Sequence, residues 1–428
     1  MAHVVTCFVR ERGEVLLTRR SDAVGTYRGR WAGVSGYVEG DPDDAEADAR
    51  RELREETGLT DDRIDLVRAG EPLAVDDEAG SFTVHPFLFE SDTREVTPNE
   101  ELAAVEWTDP TAIRDRETVP RLWETWRRVG PTVDDVESDR THGSAWISAR
   151  ALEALRDAAA EADADDWDAV AATARDLRTA RPGMAAIANR IDRVVADAIR
   201  ASDGAAPDPD AVVDRAIDAL GAALAADEEA AATAVRRLRD ADATAIATLS
   251  RSGTVREAID RLGPARLLVA ESRPEREGVD VAERAVDATD AAVTLTTEAA
   301  LPTALDRYDV DAALVGADSV FPDGGVVNKT GTRVLALAAR SLGAPVYVVA
   351  SRDKVRPSGA EVSDREAPDE RSPADLVYDG DRDVSVHAPT FEVTPGELID
   401  GIATEAGLLS GADVRAVAEE HAENAGWT

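Results

Sequence analysis

The sequence predicts an α/β protein made of two unlike parts, and three observations carry that reading. Short alternating apolar runs mixed with helical stretches fill the first 130 residues. An alanine-rich region with apolar residues recurring at three and four follows over 145–243. From 244 to 428, short apolar strands alternate with helices, the grammar of a parallel, doubly wound sheet with ligands at the carboxyl ends of its strands. At 428 residues the chain is too long for one ordinary core.

In the first part, 1–130, "HVVTCFV", "EVLLTRR", "FTVHPFLF" and "LAAVEW" read as strands, and about 43–57 and 118–128 as helices. Trp31, Trp107, Trp123 and Trp126 lie here, consistent with an independent core. The polar, turn-rich "GPTVDDVESDRTHGS" predicts a linker over 131–144. In the helical segment 145–243, "RPGM" and "DGAAPDPD" mark breaks between helices. The last part, 244–428, carries the strand-like "ATAIATLS", "ARLLVAES", "AAVTLTT", "DAALVGAD" and "PVYVVA".

The balance of 86 acidic against 48 basic residues gives a net charge of −38. The excess is spread through amphipathic segments, unlike a disordered acidic tail. Such a coat suits the cytoplasm of an extreme halophile, where at about 1 M salt the Debye length falls to roughly 3 Å and self-repulsion is screened. No basic stripe offers a nucleic-acid surface. No run approaches a membrane span, and the N-terminus alternates like a strand instead of reading as a signal peptide, so a soluble, cytoplasmic protein is expected. The single cysteine, Cys7, excludes an internal disulfide and cysteine-based zinc sites, and five scattered histidines show no ligand spacing.

The stretch "RRELREETGL" places Glu52, Glu55 and Glu56 at i, i+3 and i+4, on one helical face. Like charges so spaced destabilise a helix by roughly 0.2–0.5 kcal/mol per pair, a repulsion that Mg²⁺ bridging to phosphates would convert into binding. Arg50, Arg51 and Arg54 can neutralise the flanks, and Gly58 is a natural helix stop.

Arg51, Glu52, Leu53, Glu55, Glu56, Gly58 and Leu59 also match REUxEExGU, the distal half of the Nudix box, and "WAGVSGYVEGDPDDAEADA" supplies the strand and loop that precede it. Residues 1–130 therefore resemble a Nudix hydrolase domain, an α/β/α sandwich with a mixed sheet. The pattern departs where Tyr37 takes the glycine's place and Asp43 the glutamate's, with Asp41 or Asp43 as replacement after a loop one residue longer. The resemblance implies hydrolysis of a nucleoside diphosphate derivative with Mg²⁺ or Mn²⁺. It makes Glu52, Glu55 and Glu56 the metal ligands and adds a catalytic carboxylate from "NEELAAVEW", Glu101 in preference to Glu100.

In the last part, "GADSVFPDGG" puts Asp318 just past a strand, and "NKTGT" offers Asn328, Lys329 and hydroxyls near a helix start, a setting that suits phosphate. The chain has two lysines, Lys329 and Lys354, both in this part. With "VAESRPEREG", which contributes Arg273, "VTLTTEAAL", "VYVVASRDKVRP" and "PTFEVTPGELIDGIATEAG", these motifs resemble the translation initiation factor 2B family. That family also contains methylthioribose-1-phosphate and ribose-1,5-bisphosphate isomerases. "DLRTARPGMAAIANRI" matches its helical N-terminal subdomain, ahead of a Rossmann-like domain. The resemblance implies a pocket for a phosphorylated sugar or nucleotide, lined by Arg273, Ser250, Asp318, Asn328 and Lys329. It also implies a homodimer and, among the family's roles, contact with translation initiation factor 2. The family's isomerases pair a cysteine with the aspartate matched by Asp318. Here "TLSRSGTV" has Ser250 at the cysteine's position, and a hydroxyl is a far poorer acid and base than a thiol with a pKa of roughly 8.5. The leading expectation is thus a hydrolase fused to a ligand-binding, regulatory domain. A regulatory protein with a non-catalytic Nudix module, or a sugar-phosphate isomerase, are the alternatives.

Overall fold

The computed structural model describes residues 2–359 and 374–428. Contacts divide the chain into two compact units, one running through Thr132 and including Arg156–Glu161, the other holding the remainder.

In the first unit, β1 (Ala2–Glu11), β2 (Glu14–Arg20), β3 (Trp31–Ala32) and β4 (Val34–Tyr37) precede helix α1 (Glu46–Thr57). Strands β5 (Ile64–Ala69), β6 (Leu73–Asp77), β7 (Gly80–Ser91) and β8 (Leu102–Thr108) follow, then short helices α2 (Ala112–Asp115) and α3 (Leu122–Arg127). The sheet runs β3-β2-β1-β7-β5, with β4 on β1, β6 on β7 and β8 on β2. The β1–β7 pair is parallel and the others antiparallel, so the sheet is mixed as expected. Alternation along β1 sends Val5, Cys7 and Val9 to one face, under Ala45, Ala49 and Leu53 of the α1 region. Phe8 goes to the other, against Ile113, Leu122 and Trp126. Burial of those spaced apolar residues fixes α1 on the sheet, and Gly58, at φ 73°, ends it by donating its N–H to the Arg54 carbonyl.

In the second unit, the stretch expected as a linker carries helix α4 (Val133–Ser138). Four helices follow: α5 (Ser144–Glu161), α6 (Trp167–Thr179), α7 (Ala185–Ala201) and α8 (Pro209–Asp240). They break where the proline-containing turns predict. Asp208 caps α8, accepting from the Asp210 N–H, with Pro209 in its first turn.

The doubly wound part then runs β9 (Ala245–Leu249), α9 (Gly253–Leu262), β10 (Arg266–Ala270), α10 (Glu277–Ala288), β11 (Ala292–Thr296), α11 (Leu301–Arg307) and β12 (Ala312–Val315). After β13 (Ser319–Val320), β14 (Val326–Lys329) and α12 (Thr332–Leu342) come β15 (Val346–Val349), β16 (Phe391–Thr394), β17 (Gly401–Thr404), β18 (Gly407–Leu409) and α13 (Gly411–Asn424). The seven-stranded sheet has the order β11-β10-β9-β12-β15-β17-β18, parallel except for β18. Strand order reverses between β9 and β12, which opens a crevice at their carboxyl ends. Strands β13, β14 and β16 form a separate three-stranded sheet beside it. One network pins the helical segment to this unit. Asp353 is buried between Arg190, at 2.9 Å, and Arg193, at 2.5 Å, while the Asn189 amide donates to the carbonyls of Asp353 and Val355. Burial works against its charge, but the two guanidiniums hold the Asp353 carboxyl well below the usual range.

Candidate active site

In the first unit α1 lays its acidic face beside β4. Glu56 is almost fully buried, and its carboxylate accepts the backbone N–H of Ser35. Burial, then Glu52 and Glu101, push its pKa up to about 8, against which Arg20 and the Ser35 N–H pull. Burial also raises Glu52, opposed by Arg51 and reinforced by Glu55 and Glu101. Gly36 is the residue that leaves room for this arrangement, since a Cβ there would stand 1.9 Å from Glu52 Oε1. Below the cluster lies the Cys7 thiol, held protonated by burial and by Glu56 and Glu52, and so inert.

Glu101 joins Glu52 and Glu56 because its loop is stitched to the end of α1. Thr97 and Asn99 donate their N–H groups to the Thr57 and Glu56 carbonyls, and the Ser21 N–H reaches the Glu101 carbonyl at 2.8 Å. The Glu100 carbonyl accepts the Ser21 hydroxyl at 2.7 Å on the same loop. Glu55 stands apart, more than half exposed and 3.5 Å from Arg51. Among the described residues no three His, Cys, Asp or Glu side chains form a closed ligating group, for Arg51 draws Glu52, at 2.8 Å, and Glu55 toward itself.

Of the three arginines expected to neutralise this face, only Arg51 touches it. Arg50 pairs with Glu46 and lies over the Phe89 ring, and Arg54 pairs with Asp61. The altered loop also resolves differently from the expectation. Asp41 caps the 3-10 turn Pro42–Asp44, and the carboxylate that ties loop to helix is Asp48. It binds Arg51 at 2.9 Å and accepts the N–H groups of Glu39 and Gly40. Burial opposes this, yet Arg51 and those N–H groups keep the Asp48 carboxyl below its ordinary value. Arg51 reaches on to the Tyr37 carbonyl at 3.1 Å, so one side chain connects the loop, β4 and two acidic residues. Asp48 sits at i−3 from Arg51, a spacing visible in the sequence but hidden among many other acidic residues.

In the second unit the crevice collects Ser250, Asp318 and Asn328. Ser250 follows β9 with φ 57°, a left-handed conformation costing a non-glycine residue on the order of 1 kcal/mol. Asp318 follows β12 and donates its N–H to Val327, next to Asn328. Beside them Ser252 caps α9, 2.8 Å from where a Cβ on Gly316 would stand, and Thr254 contacts Asp227 of α8. Lys354, fully buried, donates to the Ala317 carbonyl at 2.7 Å. Burial lowers its pKa, while Asp227 and Asp318 support its charge. Ser252, Asp227 and Lys354 were not among the expected site residues. The rarity of lysine in this chain was the one available signal for Lys354.

Lys329 and Arg273 are engaged by carboxylates of the segment that follows β10. Lys329 bridges Glu275 at 2.9 Å and Glu277 at 2.5 Å, and these raise its pKa despite burial. Arg273, largely exposed, pairs with Glu271 at 3.2 Å. The expected phosphate setting at the start of α12 is filled from within, because the Glu392 carboxylate accepts the N–H groups of Gly331, at 2.7 Å, and Arg333, at 3.0 Å.

Fold and sites together define a two-unit α/β protein: a mixed-sheet unit with a carboxylate-bearing helix, and a doubly wound unit with an ionic crevice at its switch point. Residues 140–411 match the Initiation factor 2 subunit family and residues 1–129 match the NUDIX domain. The chain belongs to the Initiation factor 2 subunit family and carries an N-terminal Nudix domain. It is 32% identical over 286 residues to ribose 1,5-bisphosphate isomerase of Haloferax volcanii, covering 64% of this chain and 87% of that protein. It is 30% identical over 347 residues to methylthioribose-1-phosphate isomerase of Alkalilimnicola ehrlichii, covering 74% and 98%. Its fold is similar to that of the translation initiation factor eIF-2B of Pyrococcus horikoshii OT3, with a TM-score of 0.54 and 25% identity over 65% of this chain and 94% of that one. Among the described residues no helix is long and apolar enough to cross a membrane.

Proposed function

We propose that the first unit hydrolyses a nucleoside diphosphate derivative with Mg²⁺ or Mn²⁺, and that the second binds a phosphorylated sugar or nucleotide and regulates. The observation that carries the first half is the burial of the Glu56 carboxylate close to Glu52 and Glu101, on a helix whose sequence has the Nudix order. The donor chemistry suits a hard dication: Glu52, Glu56 and Glu101 are carboxylates that repel one another, a cation would draw them into the ligating group they do not form without it, and Gly36 leaves room for Glu52. Glu52 and Glu56 would hold the metal, with Glu55 swinging from Arg51 to join them and Glu101 nearby. A bound dication would supply charge neutralisation on the diphosphate and an acidified water. Glu101, on its stitched loop, would orient and deprotonate the attacking water. Arg51 fixes Glu52 and the β4 end in position. Water adds to one phosphorus, the bridging P–O bond breaks, and the leaving phosphate takes up a proton.

The test is hydrolysis of a panel of nucleoside diphosphate derivatives with Mg²⁺ at high KCl. Glu52→Gln and Glu56→Gln should each lose about 100-fold or more in kcat/KM, beyond the 10–100-fold typical of outer-sphere changes. Full activity in both variants would overturn the assignment.

A second reading is favoured by Asp318, Lys354 and Asp227 gathering in the crevice and by the isomerase relatives: sugar-phosphate isomerisation by the second unit. Ser250 leaves that crevice without a thiol, which is why ligand binding is the preferred role. NMR of ribose 1,5-bisphosphate and methylthioribose 1-phosphate with the protein separates the two, a ketose product establishing isomerisation. Self-association as a homodimer and contact with translation initiation factor 2 belong to the regulatory reading, tested by light scattering and copurification.

A further inference from the structure

In a chain with a net charge of −38, arginines of the first unit find carboxylates readily: Arg50, Arg51, Arg54, Arg63 and Arg116 each pair with one or more. The loop from β2 to β3 departs from that pattern. It holds Arg19, Arg20, Arg28 and Arg30, and none of them forms an ion pair with a carboxylate among the described residues. Asp22, the one acidic residue of the span 19–30, is exposed and pairs with none of them. The four side chains are fixed instead on backbone. The Nε of Arg19 donates to the Gly29 carbonyl at 3.0 Å, that of Arg20 to Thr26 at 3.0 Å and that of Arg28 to Val24 at 2.9 Å, while Arg30 donates through Nη1 to Thr118 at 3.2 Å. Held this way, Arg19, Arg20 and Arg28 keep their Nη donors for an outside acceptor.

Hydrogen bonds tie this loop to the carboxylate site. Ser21 donates its N–H to the Glu101 carbonyl at 2.8 Å and its hydroxyl to the Glu100 carbonyl at 2.7 Å. Alternation along β2 puts Leu16, Thr18 and Arg20 on the face that α1 covers. The loop then returns on itself. The Arg20 N–H donates to the Arg30 carbonyl at 3.0 Å and the Gly29 N–H to the Arg20 carbonyl at 2.9 Å, which sets Arg30 across from Arg20. Like charges facing each other across paired backbone are destabilising, and an anion between them removes the repulsion.

Charge balance says which anion. A dication at Glu52 and Glu56 offsets the charge of the diphosphate bridge itself. The arginine loop is surplus to that bridge and suits a further phosphate monoester, which brings about −1.5 to −2 of charge and three acceptor oxygens for guanidinium forks. We infer that the group linked to the nucleoside diphosphate is a sugar carrying a phosphate of its own, received by Arg20, Arg28 and Arg30. The inference rests on the hydrolase reading and narrows its substrate class. Water adds to one phosphorus, the bridging P–O bond breaks, and the proton that the water loses ends on the leaving phosphate. The products are a nucleoside monophosphate and a sugar bisphosphate. The second is a phosphorylated sugar, the class of ligand that the regulatory reading gives the second unit.

The test uses the full chain, Mg²⁺ and a matched pair of substrates: adenosine diphosphate ribose, and the same molecule phosphorylated at C1 of its distal ribose. Steady-state kinetics should give the phosphorylated member a kcat/KM about 10- to 150-fold higher, expressed in KM, the worth of a hydrogen bond to a charged group. Phosphorus NMR should show the bisphosphate among its products. Arg28→Gln and Arg30→Gln should each cut the ratio of the two kcat/KM values about 10-fold, and Arg28→Lys should restore part of it. The ratio is taken within each variant, so a general loss of activity cancels. A wild-type ratio near one, or a ratio untouched in both glutamine variants, overturns the inference while hydrolysis stands. No hydrolysis of either compound sinks the hydrolase reading and the inference with it.

Discussion

Glu56→Gln separates a structural glutamate from one held in readiness for a cation, because the two roles move stability in opposite directions. Its carboxyl is raised from an ordinary 4.5 to about 8. A carboxyl whose folded-state pKa lies above the unfolded value favours folding while protonated. Its contribution is fully present below about 4.5 and is lost as pH rises toward about 8. At about 1.4 kcal/mol per pH unit, the loss approaches roughly 5 kcal/mol, an order-of-magnitude figure. Gln keeps the acceptor for the Ser35 N–H without the charge. In chelator at pH 8, Glu56→Gln should therefore unfold at higher temperature than wild type, and the difference should vanish near pH 4.5. Mg²⁺ should stabilise the wild type, by binding the ionised form, and should leave the variant unchanged. Thermal unfolding followed by tryptophan fluorescence in EDTA and in Mg²⁺, from pH 4.5 to 8.5, reads all three effects. A variant less stable than wild type at pH 8 in EDTA, or a wild type indifferent to pH across this range, would refute the reasoning.

Gly36→Ala should abolish Mg²⁺-dependent hydrolysis while leaving circular dichroism intact, because its Cβ would displace the Glu52 carboxylate. Arg51→Lys should lower kcat/KM by about 10- to 100-fold, since one ammonium cannot span Asp48, Tyr37 and Glu52, and steady-state kinetics check it. Asp353→Asn should destabilise the second unit by about 3–5 kcal/mol in chemical denaturation, leaving Arg190 and Arg193 without their shared carboxylate. Ser250→Cys should raise ketose formation from ribose 1,5-bisphosphate above the wild-type level in the NMR assay.

Much of this architecture is legible in the sequence because it follows from local rules. Strands β9, β10, β11, β12 and β15 declare themselves through five short apolar runs, and "RRELREETGL" through spacing and its glycine stop. What escaped was pairing between distant residues. Nothing in one dimension says that Asp48 serves Arg51, since several acidic neighbours offer the same chemistry and only the loop's path decides. Nor could "NKTGT" reveal that Glu392, 61 residues after Gly331, would cap the helix start suited to phosphate. Lys354 was conspicuous for its residue type alone, and its burial beside Asp227 required the crossing of α8 over the sheet.

Both lysines of the chain are engaged, Lys354 in the interior and Lys329 between two glutamates at 14% exposure. Amine-directed reagents thus meet a nearly blank surface on the second unit, whose other cations are guanidiniums. Acylation of Lys329 becomes a site-specific reporter there, with almost no background. Its rate should rise when Glu275 or Glu277 is neutralised and fall when a phosphorylated ligand covers the loop.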